Sequence, residues 1–251
     1  MNLKSLFFLF FCTVVLSQAS GQELSATAIV EKVSRNREGQ IFYSEIKMTI
    51  IRPTWEREIG AKMWVKTQDF SFVLLTSPVR ERGQVFLKRK NHLWNWQPSI
   101  ERTIKMSASV TGQSWLGSDF TTDDIIRRTS FLNDFTHTIL GQETCDGTEC
   151  YKIQLTPKPN SVIIWGKIIS WVSTKEFIDL KNEYYDEDGK LVQTYRGYDF
   201  KHYASYYIPM RTEIIPARKN NHKTVLTVQV YELNPPLKDG FFSLQNIKNI
   251  H

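Results

Sequence analysis

Long runs in which apolar and polar residues alternate with a period of two most constrain how this chain folds. From Phe42 to Ile50, and again from Trp55 to Lys66, every second residue lines one face, and Pro53 separates the two runs. Because successive side chains of a β-strand point to opposite faces, this alternation predicts half-buried strands. Further strand-like runs follow along the chain: Phe70–Thr76, Gln84–Lys90, His92–Gln97, Arg102–Met106, Phe135–Gly141, Tyr151–Thr156, Val162–Ser173, Glu176–Asp186, Lys190–Lys201, Tyr207–Pro216 and Thr224–Leu233.

Two segments depart from this strand pattern. Ala26, Ile29, Val30 and Val33 have the spacing of one apolar helix face, which predicts a helix ahead of the first strand. In the middle of the chain, Ser107–Phe120 is rich in Ser and Gly and is unsuited to a regular strand.

The central segment continues into a predicted short helix. Thr121–Arg128 places Thr121 three residues before Asp124, which is a capping-box pattern. The predicted layout is a helix, about five strands, a loop with a short helix, and about seven strands. Consecutive hairpins imply an antiparallel meander, and no linker divides residues 22–251, so they are expected to form a single mainly-β domain.

The N-terminus has the features of a cleaved signal peptide. Leu6–Leu16 is an apolar run of 11 residues, too short for a membrane-spanning helix, and the small residues Ala19-Ser20-Gly21 follow it. We therefore expect residues 1–21 to be removed, with cleavage before Gln22, and the chain to be exported. A lipoprotein signal at Cys12 is disfavoured because bulky phenylalanines precede that residue.

Cys145 and Cys150 are the cysteines of the exported chain. Between them lies Asp146-Gly147, a hairpin turn signal, and strand-like runs flank the pair. An even cysteine count in an exported protein favours a disulfide, which would close this hairpin. Zinc is the rival interpretation, but two cysteines with no histidine nearby supply too few ligands.

The sequence contains no recognisable catalytic constellation. Gly112–Gly117 has one residue too many for a nucleophile elbow, and the five histidines are dispersed. Asp123-Asp124 fits a helix N-terminus better than a general acid/base pair. We therefore expect a protein that is not an enzyme and has no metal or cofactor.

The net charge of +6 permits an acidic partner. The basic clusters of the chain are Arg80/Arg82, Lys88-Arg89-Lys90, Arg127-Arg128 and Arg218-Lys219. Export argues against nucleic acid as the partner, which leaves solvated positions, an anionic lipid surface or an acidic docking protein.

Aromatic residues make up 13% of the chain and concentrate on the strands and the central loop. A sheet with one strongly apolar face must cover that face, and only two helices are predicted to do so. A cavity for an apolar ligand is one solution, as in barrels that hold a small ligand. A well-packed core without a cavity is the alternative.

The chain resembles the LolA-like family of periplasmic lipoprotein carriers, in particular the outer membrane lipoprotein-sorting group. The resemblance rests on the opening strand IFYSEIKMTI, the central GQSWLGSDFTTDDI and the tail LKDGFFSLQNIK. It implies an incomplete, half-open β-barrel covered by helices, whose apolar interior binds acyl chains of lipoproteins or lipids. It also implies a periplasmic location, an inner-membrane transporter and an outer-membrane acceptor. Relatives with this fold also act as envelope stress sensors or exporter accessories, which is the alternative function.

The resemblance also suggests a movable cover, Ser107–Arg128, called the central cover below. Gly112, Gly117 and Asp119 are expected to serve as its hinge positions, and Arg57 is the candidate for the arginine that holds the closed state. The residues expected to line the apolar interior are Trp55, Met63, Phe72, Leu74, Trp94, Met106, Trp115, Leu116 and Phe120.

Overall fold

The computed structural model describes residues 24–35, 41–67, 69–107, 110, 112–122, 124–125, 130–159, 163–203 and 206–250. The predicted signal peptide lies outside these residues. The elements are α1 (Ala26–Arg35), β1 (Ile41–Arg52), β2 (Trp55–Lys66), β3 (Phe70–Ser77), β4 (Val85–Arg89), β5 (His92–Gln97), β6 (Arg102–Met106), β7 (Phe135–Cys145), β8 (Thr148–Pro157), β9 (Lys167–Ser173), β10 (Asp179–Tyr185), β11 (Leu191–Tyr203), β12 (Tyr206–Pro216) and β13 (Lys223–Leu233).

Within the described residues, all thirteen strands belong to one curved antiparallel sheet. Its spatial order is β6-β5-β4-β3-β2-β1-β13-β12-β11-β10-β9-β8-β7. Two meanders, β1 to β6 and β7 to β13, are joined where β1 pairs with β13 in register from Phe42↔Leu233 to Ile51↔Lys223. Strands β6 and β7 are therefore the two free edges, and the sheet does not close. The predicted mainly-β, half-open architecture is confirmed.

The alternation along β1 determines which face is concave. Ser44, Ile46, Met48 and Ile50 are buried while the residues between them are only partly covered. Ile46, Met48 and Ile50 belong, with the inward residues of β2, β3, β4 and β12, to a buried cluster that includes Trp115 of the central cover, named here the cover cluster. One half of the concave face is therefore packed against the central cover.

Helix α1 covers the other half of the concave face. Its apolar residues Ala26, Ile29 and Val30 are buried against β7 to β10, in a group that includes Phe135 and Ile168. Ser25 caps the helix, since its Oγ accepts a hydrogen bond from the Ala28 backbone N–H at 3.2 Å. The helix predicted from the spacing of these residues is confirmed.

The segment after β13 covers the convex face. Phe241, Phe242, Ile247 and Ile250 pack against the outward side chains of β2 to β5, forming what we name the tail cluster. The Phe72 ring stacks on Phe242 with centroids 5.7 Å apart. The sheet is consequently buried on both faces over β2 to β5. No helix among the described residues is long and apolar enough to cross a membrane.

The predicted disulfide is not formed. Both Cys145 and Cys150 are buried free thiols. The Asp146-Gly147 turn brings Cys145 opposite Thr148, while Cys150 lies opposite Glu143. The two thiols are thus diagonal rather than directly paired on the hairpin, and they pack instead with Ile169 and Trp171.

Candidate functional site

Residues 112–122 of the central cover form a compact loop that closes on itself. The Trp115 N–H donates to the Phe120 carbonyl at 2.8 Å, and the Thr122 N–H donates to the Gln113 carbonyl at 2.9 Å. Between these bonds, Leu116 and Gly117 adopt positive φ values of 53° and 80°. A positive φ is readily adopted by glycine, so Gly117 suits the tip of this loop. The described part of the cover is therefore an ordered unit.

The capping pattern at Thr121 is also present. The Asp124 Oδ2 atom accepts a hydrogen bond from the Thr121 N–H at 2.7 Å, and the Asp124 N–H donates to Thr121 Oγ1 at 3.1 Å. Most of the predicted helix beyond this pair lies outside the described residues.

The cover inserts its apolar side chains into the concave face. Trp115, Phe120 and Ile125 are buried in the cover cluster, and Leu116 packs against it. The Trp115 ring meets Phe86 edge-on with centroids 5.9 Å apart. In this closed arrangement, the protein's own side chains fill the concave face over β1 to β4.

A buried ion pair holds the tip of the cover to the sheet. Arg52 Nη1 and Nη2 donate to the two carboxylate oxygens of Asp119 at 2.9 and 3.1 Å, and Nη2 also donates to the Gly117 carbonyl at 3.0 Å. The side chains of Arg52 and Asp119 are only 10% and 6% exposed. We call this pair the latch, because it joins the cover to the end of β1.

Thr224 completes the latch. Its hydroxyl donates to Asp119 Oδ2 at 2.7 Å and accepts the Asp119 backbone N–H at 3.0 Å. Thr224 is the second residue of β13 and lies opposite Ile50 of β1, so the β1–β13 pairing places it near Arg52. A planar guanidinium facing a carboxylate in two parallel bonds is a strong and directional contact.

Arg57, the candidate from the family resemblance for holding the closed state, also contacts the cover. Arg57 Nη2 donates to Glu81 Oε1 at 2.5 Å, and Nη1 contacts the Leu116 carbonyl at 3.4 Å. Arg52 was missed because it ends a strand and its partner lies 67 residues away. The signal for it was the lone acid of the cover tip, Asp119, which needs a cation when buried.

The predicted interior residues divide between the two faces of the sheet. Met63, Trp115 and Phe120 lie in the cover cluster, and Met106 and Leu116 pack against it. Trp55 stands at the rim, 49% exposed, with the Arg52 guanidinium 5.8 Å from its ring.

The remaining three predicted interior residues face the opposite way. Phe72, Leu74 and Trp94 belong to the tail cluster on the convex face. The register explains this placement, since Phe72 pairs with Trp64, whereas its neighbour Val73 pairs with the inward-facing Met63. Phe72, Leu74 and Trp94 therefore contact the C-terminal segment rather than the concave surface.

Some buried polar atoms on the concave side have no hydrogen-bond partner among the described residues. These atoms are Asn182 Oδ1 on β10, Gln193 Nε2 on β11 and Trp115 Nε1 in the cover. Asn182 pairs across the strands with Tyr195, which borders both the cover cluster and the α1 side. Such atoms carry an unmet desolvation penalty, which a polar group of a guest molecule can offset. No group of three or more potential metal ligands occurs among the described residues.

Comparison with known proteins identifies relatives over most of the chain. A family model described as "-like: Uncharacterized protein" matches residues 67–249. No curated protein matches the chain.

Solved structures reproduce the fold. A LolA superfamily protein from Nitrosomonas europaea superposes with a TM-score of 0.75 at 26% identity, over 88% of this chain and 99% of that one. A putative outer membrane lipoprotein-sorting protein domain from Vibrio parahaemolyticus gives 0.79 at 17% identity, over 89% and 98%. A DUF1329 family protein from Desulfovibrio piger gives 0.81 at 20% identity, over 88% and 97%.

Proposed function

The chain belongs to the LolA-like family of lipoprotein-sorting proteins, and from this premise we propose that it is a non-enzymatic periplasmic carrier of acyl chains. Its cargo is the lipid part of lipoproteins, or free lipids, which it moves toward the outer membrane. An inner-membrane transporter would load it and an outer-membrane acceptor would unload it.

The observation that carries this proposal is the apolar concave face under a separate cover. Met48 and Ile50 of β1, together with Ile59 and Ala61 of β2, form a continuous aliphatic surface beneath Trp115. Each CH₂ group removed from water contributes about 0.8 kcal/mol, so an acyl chain replacing the cover side chains recovers much of the burial that the cover loses. Cover and cargo therefore compete for one surface.

A carrier must also release what it binds, and the latch supplies the opposing force. Arg52 and Asp119 favour the covered state, so cargo is held only by the difference between its own burial and the cost of breaking the latch. An acceptor that binds the cargo more tightly can then remove it without an energy source of its own. We therefore expect the affinity for cargo to be moderate.

Uptake of lipid by matched variants tests the proposal. Protein exported in bacteria is analysed by native mass spectrometry for co-purified lipid, then incubated with phospholipid vesicles and analysed again. Phe120→Ser removes an aromatic ring from the cover cluster, and Phe242→Ser removes one from the tail cluster, as a control of equal chemistry on the other face.

We expect wild type and Phe242→Ser to carry lipid and Phe120→Ser to differ from both in the amount bound, with thermal unfolding confirming that each variant is folded. A wild-type protein that neither co-purifies with lipid nor acquires it from vesicles would refute the carrier function.

A further inference from the structure

Several loops that join neighbouring strands lie together at one end of the sheet, the end at which the latch is found. Because the strands are antiparallel, every second connection emerges at the same end. At this end lie the loops 53–54, 78–84, 98–101 and 217–222. The strands that they join are neighbours in the sheet, from β6 to β12. Adjacent loops touch: Arg57 beside the first is bonded to Glu81 in the second. A side chain added at Gly83 of the second would lie 3.4 Å from Pro98 of the third. We call this surface the latch end.

Three adjacent connections at the latch end each expose a large apolar side chain, either in the loop itself or, for Trp55, on the first strand residue after it. Trp55 is 49% exposed, Val79 80% and Ile100 54%. At the opposite end, the described residues of the loops 67–69, 90–91, 146–147 and 174–178 expose no large hydrophobic side chain. Since exposing such side chains is unfavourable in water, their concentration at one end marks an interaction surface.

Positive charge surrounds these apolar tips. The four loops of the latch end carry four basic residues, Arg80, Arg82, Arg218 and Lys219, all exposed, against two acidic ones. One of the acids, Glu81, is already paired with Arg57. Beyond β11 the next loop at this end, residues 186–190, is acidic, which sets the boundary of the surface.

We propose that the latch end docks onto an anionic phospholipid surface. Trp55, Val79 and Ile100 enter the interfacial region of the bilayer, and the arginines contact lipid phosphates. Tryptophan favours this interface because its ring is apolar and its N–H is polar, and basic side chains are drawn to anionic headgroups. The apolar groups stand on separate loops rather than in one groove, which suits insertion between individual lipids.

Docking at this end places the latch beside the bilayer. The Arg52 guanidinium lies 5.8 Å from the Trp55 ring and bonds Asp119 at the tip of the cover. The apolar side chains and the charges of the latch end belong to the loops and to Trp55 beside them. The docking proposal therefore does not depend on which cargo the concave face binds.

Vesicle co-sedimentation tests the docking. Exported protein, with its N-terminus determined by mass spectrometry, is mixed with vesicles of phosphatidylethanolamine and phosphatidylglycerol, or of phosphatidylcholine alone. We expect binding to the anionic vesicles that weakens with added salt. Arg80→Gln/Arg82→Gln should weaken it roughly 25-fold, about fivefold for each charge, while Lys66→Gln/Arg89→Gln at the opposite end should not.

The contribution of the apolar side chains to vesicle binding is tested by a second variant with a matched control. Trp55→Ser/Ile100→Ser should reduce vesicle binding about tenfold or more. Ile139→Ser/Leu140→Ser, which changes exposed residues of the edge strand β7, should leave it unchanged. Equal binding to both kinds of vesicle, no binding to either, or wild-type binding by the latch-end variants would overturn the proposal.

The carrier function and the docking surface are tested by different measurements. Lipid found inside the protein by native mass spectrometry concerns the concave face, whereas sedimentation with intact vesicles concerns the latch end. A protein that sediments with anionic vesicles but holds no lipid would support the docking surface and refute the carrier proposal, and the converse result would do the opposite.

Discussion

Asp119→Asn is the substitution that most directly tests whether the latch holds the cover. Asparagine keeps the shape of the side chain but removes its charge, so the Arg52 guanidinium, only 10% exposed, loses its counter-ion. Removing one partner of a fully buried ion pair costs about 3–5 kcal/mol. Here the cost is smaller, because Arg52 keeps hydrogen bonds to the carbonyls of Ile51, Gly117 and Lys223 at 2.8, 3.0 and 3.3 Å.

The remaining loss is that of charge-assisted hydrogen bonds, about 2 kcal/mol. A change of this size shifts the opening equilibrium of the cover roughly 30-fold. Amide hydrogen exchange followed by mass spectrometry measures it directly. Peptides covering residues 112–122 should exchange roughly 30-fold faster in Asp119→Asn than in wild type, while peptides from α1 should be unaffected.

Two controls sharpen the result. Glu58→Gln breaks the exposed Lys47–Glu58 pair and should change stability by less than about 1 kcal/mol. The double variant Arg52→Gln/Asp119→Asn should open the cover less than the sum of its two single variants, since no unpaired charge remains. Unchanged exchange of residues 112–122, or equal acceleration in α1 through global unfolding, would refute the latch.

Three further outcomes follow from burial. Trp115→Ala should lower the free energy of unfolding by about 3–5 kcal/mol, whereas Trp115→Phe should cost much less because Nε1 has no hydrogen-bond partner; chemical denaturation distinguishes them. Phe241→Ala should cost less, about 2 kcal/mol, because this ring of the tail cluster is only partly buried, and it should not change exchange in the cover. Burial raises the pKa of Cys150 to about 11 and also raises that of Cys145. The unfolded thiols therefore ionise first, so stability should fall as pH rises from about 9 to about 11, and native thiols should react slowly with iodoacetamide at neutral pH, as alkylation mass spectrometry can show.

The strands could be predicted from the sequence because their burial alternates. Along β1 the predicted inward residues Ile46, Met48 and Ile50 are those that the structure buries. The alternation gave no such guidance on β3, where five consecutive residues are buried because the C-terminal segment covers the second face. The sequence therefore assigned Phe72 and Leu74 to the interior without a means of choosing the face.

The latch and the relative position of the two cysteines could not be predicted from the sequence, for a different reason. Arg52 meets Asp119 only because β1 pairs with β13 and the cover folds back over both. The spacing of Cys145 and Cys150 is compatible with a bridge, but the cross-strand register, which a two-residue turn fixes, leaves them diagonal. Long-range pairing and register are properties of the assembled sheet rather than of any local pattern.

The order of the strands has a consequence for how the molecule opens. β6 and β7 follow one another in the chain, yet they form the two opposite edges of the sheet, so residues 107–134 must span the mouth between them. Any change in the separation of these edges alters the path that those residues have to bridge. The separation of the two edges and the placement of Trp115 are consequently linked through one stretch of chain.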